Sequence, residues 1–411
     1  MNNIETAIEK THKAVWERFV YQPLGILLDY AGLDGQIELP SQQDYTLGKS
    51  NAISWWTPME NGAFFNGLYL DGLCKGWRIT GEEKYKEGAR IMAQGLLQLA
   101  QISDMKGFIA RGLSADGLGH YPIGSDDQTG PWFYGLWRYL KSALPAASER
   151  KIIIDLMTEV AETLEAADWK LPCDGAFKGQ TRGGLKEYGF RPAASILFIY
   201  RAMMDITGNQ IWLERYEKSL YEKPKAEGKS RLEICENGML TDFQQDWYFS
   251  RMLWISANAQ LSLKALIEME TDASIKEKYI HGSRINGYLA LPVIFNYQEW
   301  LSEPRKKFST DWTAMNALWR PQATVKEAVE LAMEQLHYWE SEKCPARFTE
   351  NKYIREPLFA CLIVAASYDA NLLKQAASFI EDCISSYDWS EIYTSSAFAA
   401  ECAYFELLSS K

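Results

Sequence analysis

Residues 120–142 read HYPIGSDDQTGPWFYGLWRYLKS, a Gly-containing polar loop that runs into a strongly apolar segment, with two adjacent acids, Asp126 and Asp127, at the junction. Trp132, Phe133, Leu136, Trp137 and Leu140 follow at steps of one, three and four, the period of a helix and not of a strand. An acid at a helix entrance accepts hydrogen bonds from the free N–H groups and suits the positive end of the dipole. Only one residue can be the cap, so the second acid is left to be solvated, paired or used. His120, Tyr121, Gln128, Trp132 and Tyr134 surround the pair with polar and aromatic groups, which favours use in proton transfer.

The same setting recurs elsewhere. Glu60 stands between Trp55-Trp56 and Asn61, Asp242 and Asp246 precede Trp247 and Tyr248, and Asp311 precedes Trp312. Cleavage of a glycosidic bond needs one carboxyl that delivers a proton and usually a second carboxylate that activates water or attacks carbon. Sugars, in turn, rest their apolar C–H faces on aromatic rings. Each of these acids also suits helix capping; Glu60 and the Asp126/Asp127 pair are the ones expected to be catalytic. Trp55, Trp56, Trp132 and Trp247 are the expected stacking walls, and His120, Gln128 and Asp246 further substrate contacts. Arg111, in GFIARGLSADGLGHYP, and Arg191, in EYGFRPAAS, adjoin Gly-containing loops. Each suits a planar carboxylate through two parallel hydrogen bonds, or else ties its loop to a buried aspartate. His12, His281 and His337 lie in or near charged helical stretches and are expected at the surface.

Composition narrows the partners. The chain of 411 residues is 13% aromatic, with 15 Trp and 22 Tyr, a surplus that favours a carbohydrate site. Its net charge of -11 and the lack of a polybasic run argue against nucleic acid. The seven Cys are scattered singly without metal spacing and read as reduced core thiols. The start, MNNIETAIEKTHKAVWERF, carries acids and a helical period in place of a secretion signal, and no run of apolar residues is long enough for a membrane span. The expectation is a cytoplasmic protein, or a periplasmic one if a leader has been removed. No HExxH, GxSxG or GxxxxGK[ST] occurs, so no metal, serine-nucleophile or phosphate chemistry is indicated and no cofactor is expected.

The elements that must position these groups read as helices of alternating polarity. Residues 4–20 form an amphipathic helix, and the helix after Pro58 is apolar nearly all round and carries Gly62, Gly67, Gly72 and Gly76, which implies close backbone packing inside the molecule. It ends at Ile79-Thr80-Gly81, and a charged helix follows at 82–101; Ile206-Thr207-Gly208 repeats the arrangement after the apolar stretch 193–204. Tyr85 and Trp212 stand four residues after the respective glycines. A further copy pairs 131–142 with 148–167. Inner helices are then expected at 242–256, 285–300, 355–368 and 394–408, and outer ones at 257–279, 325–339 and 370–386. About six such hairpins predict an all-α, closed (α/α)6 toroid forming one domain over 1–411, since an open stack would expose its last apolar helix.

This pattern resembles the six-hairpin glycosidase superfamily, whose (α/α)6 barrel hosts glycoside hydrolases, polysaccharide lyases and sugar epimerases. The resemblance covers most of the chain as architecture and short pieces as motif. The local similarity is to the unsaturated glucuronyl and rhamnogalacturonyl hydrolases, in which an aspartate opens an inner helix before a Pro and large apolar residues, here Asp126 or Asp127 before Pro131-Trp132-Phe133. It implies a short uronic-acid-bearing oligosaccharide as substrate. Asp127, or failing that Asp126, would be the proton donor that protonates the double bond as water adds. On an ordinary glycoside Glu60 would activate water, and in either case Arg111 and Arg191 would hold the carboxylate. The alternatives are a sugar 2-epimerase, which normally needs His as acid and base, a polysaccharide lyase using Tyr or His, and a non-catalytic carbohydrate-binding helical-repeat protein.

Overall fold

The structure, a computed structural model, describes residues 3–41, 57–242 and 252–410. In chain order its helices are α1 (Asn3–Ala14), α2 (Gly62–Thr80), α3 (Glu83–Gln101), α4 (Asp126–Lys141), α5 (Ala147–Ala166), α6 (Phe190–Thr207), α7 (Gln210–Tyr221) and α8 (Arg231–Asn237). There follow α9 (Leu253–Met269), α10 (Ala273–Ile294), α11 (Tyr297–Ser302), α12 (Val325–Glu342), α13 (Pro345–Glu350), α14 (Glu356–Ala365), α15 (Ala370–Ser385) and α16 (Ala397–Ser409). Among the described residues strands are confined to two short antiparallel pairs, β1 (Val20–Tyr21) with β2 (Ile26–Leu27) and β3 (Lys170–Pro172) with β4 (Thr181–Gly184). The protein is all-α, as expected. No helix among the described residues is long and apolar enough to cross a membrane.

Six helices pack in a cycle: α2 on α4, α4 on α6, α6 on α9, α9 on α14, α14 on α16, and α16 back on α2. Around them α3, α5, α7, α8, α10, α15 and α1 lie on the outside, each against one or two of the inner helices. The inner helices are apolar on all sides because every side is covered. All positions of α2 from Gly62 to Gly76 are buried, as is the whole of α14. Each fully buried Leu or Phe among them contributes about 1.5–3 kcal/mol. The glycines do what their spacing implied: a Cβ on Gly67 would lie 2.2 Å from the carbonyl oxygen of Pro131, and one on Gly135 2.6 Å from the Cα of Gly67. The α2 and α4 backbones therefore cross in contact. Gly81 and Gly208 close α2 and α6 in the left-handed conformation, with φ of 70° and 68°.

Charged side chains tie the ring at the carboxyl ends of the inner helices. Lys75 of α2 donates to Asp71 and to Glu406 of α16, Lys264 of α9 donates to the other oxygen of Glu406, and Arg138 of α4 donates to Glu268 of α9 and to the Tyr134 hydroxyl. Burial opposes the ionisation of Glu406, but Lys264 and Lys75 outweigh it and hold the carboxyl below the usual range.

Parts of the expected order are corrected. The inner helix expected at 242–256 is α9, starting at Leu253, and the outer helix expected at 257–279 divides between α9 and α10. The stretch 285–300, expected inside, belongs to outer α10 and to α11. The physical reason is a buried amide network: Gln260 donates to Ser283 Oγ and the Ala366 carbonyl and accepts from Asn286. Polar residues on the inner helix and small ones on the outer helix thus mimic the opposite polarity. Helix α12 stands apart from the ring, in a second apolar cluster with Trp312, Met315 and Cys344 that also takes in Tyr30, Met59 and Tyr121. His12, expected at the surface, is buried where α1 meets α16, its Nδ1 3.1 Å from Glu401, which also accepts from the Tyr69 hydroxyl.

Replacing Glu406 with Gln leaves Lys75 and Lys264 short of a counter-charge in the interior. The expected loss is about 3–5 kcal/mol of unfolding free energy, read from urea titration; a change below about 1 kcal/mol would show the network to be dispensable.

Candidate functional site

The amino ends of the inner helices gather at the opposite mouth of the ring. The Leu253 N–H at the start of α9 donates to Glu356 Oε2 at the start of α14, at 2.7 Å, and Phe64 near the start of α2 meets Trp254 edge-on, ring centroids 5.2 Å apart. Acids and arginines concentrate here, and Asn61, immediately before α2, organises them. Its backbone N–H and side-chain amide donate to the two oxygens of Asp29 at 3.1 and 2.5 Å, and its own carbonyl oxygen accepts from Gln128 at 3.1 Å and from Arg111 at 3.5 Å.

Asp29 follows β2 and is only 8% exposed. Burial, and next the charge of Glu60, push its carboxyl up to about 7, against the opposing pull of the Asn61 bonds and Arg347. Glu60 is paired at 3.0 Å with Arg347 Nη2, whose Nη1 reaches Glu340 of α12 at 3.2 Å. Arg347 is brought in by α13, and the Tyr30 ring packs on Trp339 of α12, with centroids 5.4 Å apart. Elements outside the ring therefore complete this side of the site.

Asp127 has the opposite character. It accepts from Ser125 and, at 3.3 Å, from Arg111 Nη1. Burial would raise its carboxyl, but Arg111, Arg182, the Ser125 bond and Arg191 outweigh burial and leave it below the usual range. These neighbours favour its charged form, whereas the donor role expected for it needs the protonated one. Asp126 is about one-third exposed and lies 3.9 Å from Arg191, beside Ser195 and Asn258 in a small cleft.

The other expected contacts divide. Arg111 is buried and consumed by Ser125, Asp127 and Asn61, so it ties the loop down and is not available to a ligand. Gln128 is fully buried, donating to Asn61 and accepting from the Phe64 N–H. Trp132 is a core residue whose indole donates to the Leu96 carbonyl, so it cannot be a stacking wall. His120 has Asp174 as its ring partner at 2.9 Å; burial lowers its pKa although Asp174 opposes this. Asp311 caps a short 3-10 helix, Trp312–Leu318, by accepting from the Thr313 N–H. Trp55, Trp56, Asp246 and Trp247 lie outside the described residues. Among the described residues no group of His, Cys, Asp and Glu is placed to hold a metal ion. Sequence reasoning missed Asp29, Arg347, Arg355 and Trp254. Asp29-Tyr30 is itself an acid followed by an aromatic, the pairing that singled out Asp311-Trp312, but it precedes no helix.

No family model matches the chain, and neither does any curated protein. Among solved structures, a sugar epimerase from a ruminal bacterium is similar over 81% of this chain and 86% of that chain, with 10% identity and a TM-score of 0.40.

Asp29 makes a signed prediction about stability. The folded protein holds this proton up to about pH 7, whereas an unfolded aspartate releases it near about 3.9. The native state binds the extra proton between those values, so its stability falls as pH rises through that window. Asp29→Asn should therefore be more stable than the wild type at pH 8, by on the order of 2 kcal/mol. The gain should shrink towards pH 4. Denaturant titrations of both proteins at pH 5 and pH 8 check this, and a variant destabilised equally at both would refute it.

Proposed function

We propose that the chain is a glycoside hydrolase acting on a short oligosaccharide that carries a uronic acid, with Asp29 as the proton donor and Glu60 as the partner carboxylate. The observation that carries this reading is the pairing itself: a carboxyl pushed up to about 7 beside a carboxylate held by an arginine, at the amino ends of the inner helices. Donation to a leaving oxygen at neutral pH needs a group still protonated there, and activation of water needs one that is charged. Asp29 and Glu60 divide those tasks. Asp127, whose charged form is favoured, instead keeps Arg111 in place and through it supports Asn61 and Asp29.

The rival chemistries have less support among the described residues. Epimerisation by histidine is the second reading: it would rest on His120, whose ring is held by Asp174 at 2.9 Å, since His12 is buried against Glu401 and His281 and His337 lie on α10 and α12. The segments 42–56 and 243–251 contain no His either. A lyase using tyrosine needs a phenol that loses its proton readily, whereas burial raises the Tyr30 hydroxyl well above its ordinary value.

Saturated and 4,5-unsaturated uronic-acid disaccharides, followed together by ultraviolet absorbance and by release of reducing ends, test the proposal. The wild type should release sugar from at least one class; a lack of release from every member would sink the hydrolase reading. Asp29→Asn and Glu60→Gln should each lower kcat by about 10²–10⁴-fold while remaining folded. Full activity in Asp29→Asn would remove it as donor. Asp127→Asn should act differently, losing about 3 kcal/mol of stability through the stranded Arg111 before any loss of turnover per folded molecule.

A further inference from the structure

Arg111 and Arg347 at this mouth are held through their Nη groups. Arg111 binds Ser125, Asp127 and Asn61, and Arg347 binds Glu60 and Glu340. Arg355, the last residue before α14, differs from them. Its guanidinium lies over Trp254 of α9, 4.6 Å from the ring centroid, and its buried Nε forms an ion pair with Glu356 Oε1 at 3.5 Å. Neither Nη nitrogen donates a hydrogen bond to any described residue, and the side chain is 15% exposed.

Its counter-charge is weak as well. Glu356 is wholly buried; burial pushes its carboxyl up, although Arg355 and the N–H groups of Leu253 and Trp254 oppose this. Burial disfavours the charge of Arg355, Glu356, Glu340 and Asp29 favour it, and Arg347 repels it. A guanidinium with unused donors, an incomplete counter-charge and a fixed plane is what a planar anion needs. Trp254 supplies the fixed plane, since a cation over its face is held without using any N–H.

We infer that Arg355, laid over Trp254 where α9 and α14 begin, is the receptor for the carboxylate of the sugar, its two Nη groups donating to the carboxylate oxygens. The inference rests on the carbohydrate reading of this site but not on hydrolysis. It moves the expected carboxylate contact from Arg111, which is consumed, to a residue about 244 positions away along the chain.

Ligand-observed NMR titration with glucuronate and with glucose tests it without turnover. The wild type should bind glucuronate about tenfold more tightly than glucose. Arg355→Gln should lose that preference and keep its affinity for glucose. Arg355→Lys keeps the charge without the fork and should retain about threefold; it also serves if the Gln variant does not fold, which a thermal melt reports. A wild type with no preference, or with no binding of either sugar, would overturn the inference, and so would undiminished preference in both variants. Preference for glucuronate without turnover of any uronide would leave it standing and remove only the hydrolase reading.

Discussion

Glu406 sits wholly buried between Lys75 and Lys264, so three ionised side chains from α2, α9 and α16 share one point inside the ring. Arg138 extends the cluster to α4 through Asp71 and Glu268. Taking ions out of water is costly, and only mutual pairing offsets it. A rotation or slip of any one of these helices would strand a charge, whereas apolar contacts alone would tolerate it. The pairing thus gives the inner helices a common register at their carboxyl ends. Because Glu406 is held below the usual carboxylate range, its contribution is present above the unfolded value and is lost as pH falls through the lower folded one.

The two mouths of the ring use the same residue types to different ends. At the carboxyl mouth each of the clustered acids has a lysine or arginine of its own. At the amino mouth the accounts are left open: Asp29 keeps its proton to about 7, and Arg355 keeps free donors. Glu350 joins Asp29 in this, pushed up to about 7 by burial although it accepts from the Tyr393 and Thr394 N–H groups. Incomplete compensation destabilises the fold and is also what tunes groups for proton transfer and anion capture. The closed register at one end makes the strained electrostatics at the other affordable.

Elements outside the ring share in that second mouth. The cluster built on Trp312, Met315 and Trp339 carries α12 and α13, and with them Glu340 and Arg347, up to Glu60. Its apolar residues also pack on Tyr30 and Met59, which flank the Asp29 and Glu60 positions in sequence. The packing of this flank and the electrostatics of the carboxyl pair are therefore one problem.

The helical class, the alternation of buried and exposed helices, the close-packing glycines and the buried thiols were legible from the sequence, because each depends on periodicity or residue type within one local stretch. The acids Asp126 and Asp127 open α4 as expected for the same reason, whereas Glu60 lies just before α2 and not in its first turn. Where local polarity misled, as in α9 with its buried Gln260, the hydrogen-bond partners lay on another helix and beyond the end of α14. Roles were decided by tertiary structure alone. Asp127 favours its charged form because Arg111 and Arg182 reach it, Asp29 keeps its proton up to about 7 because burial and Glu60 oppose the charge, and Arg355 keeps its Nη groups unused because it meets Glu356 through Nε. A pKa or a spare donor is a sum over neighbours from many parts of the chain, and such a sum exists only once the ring has closed.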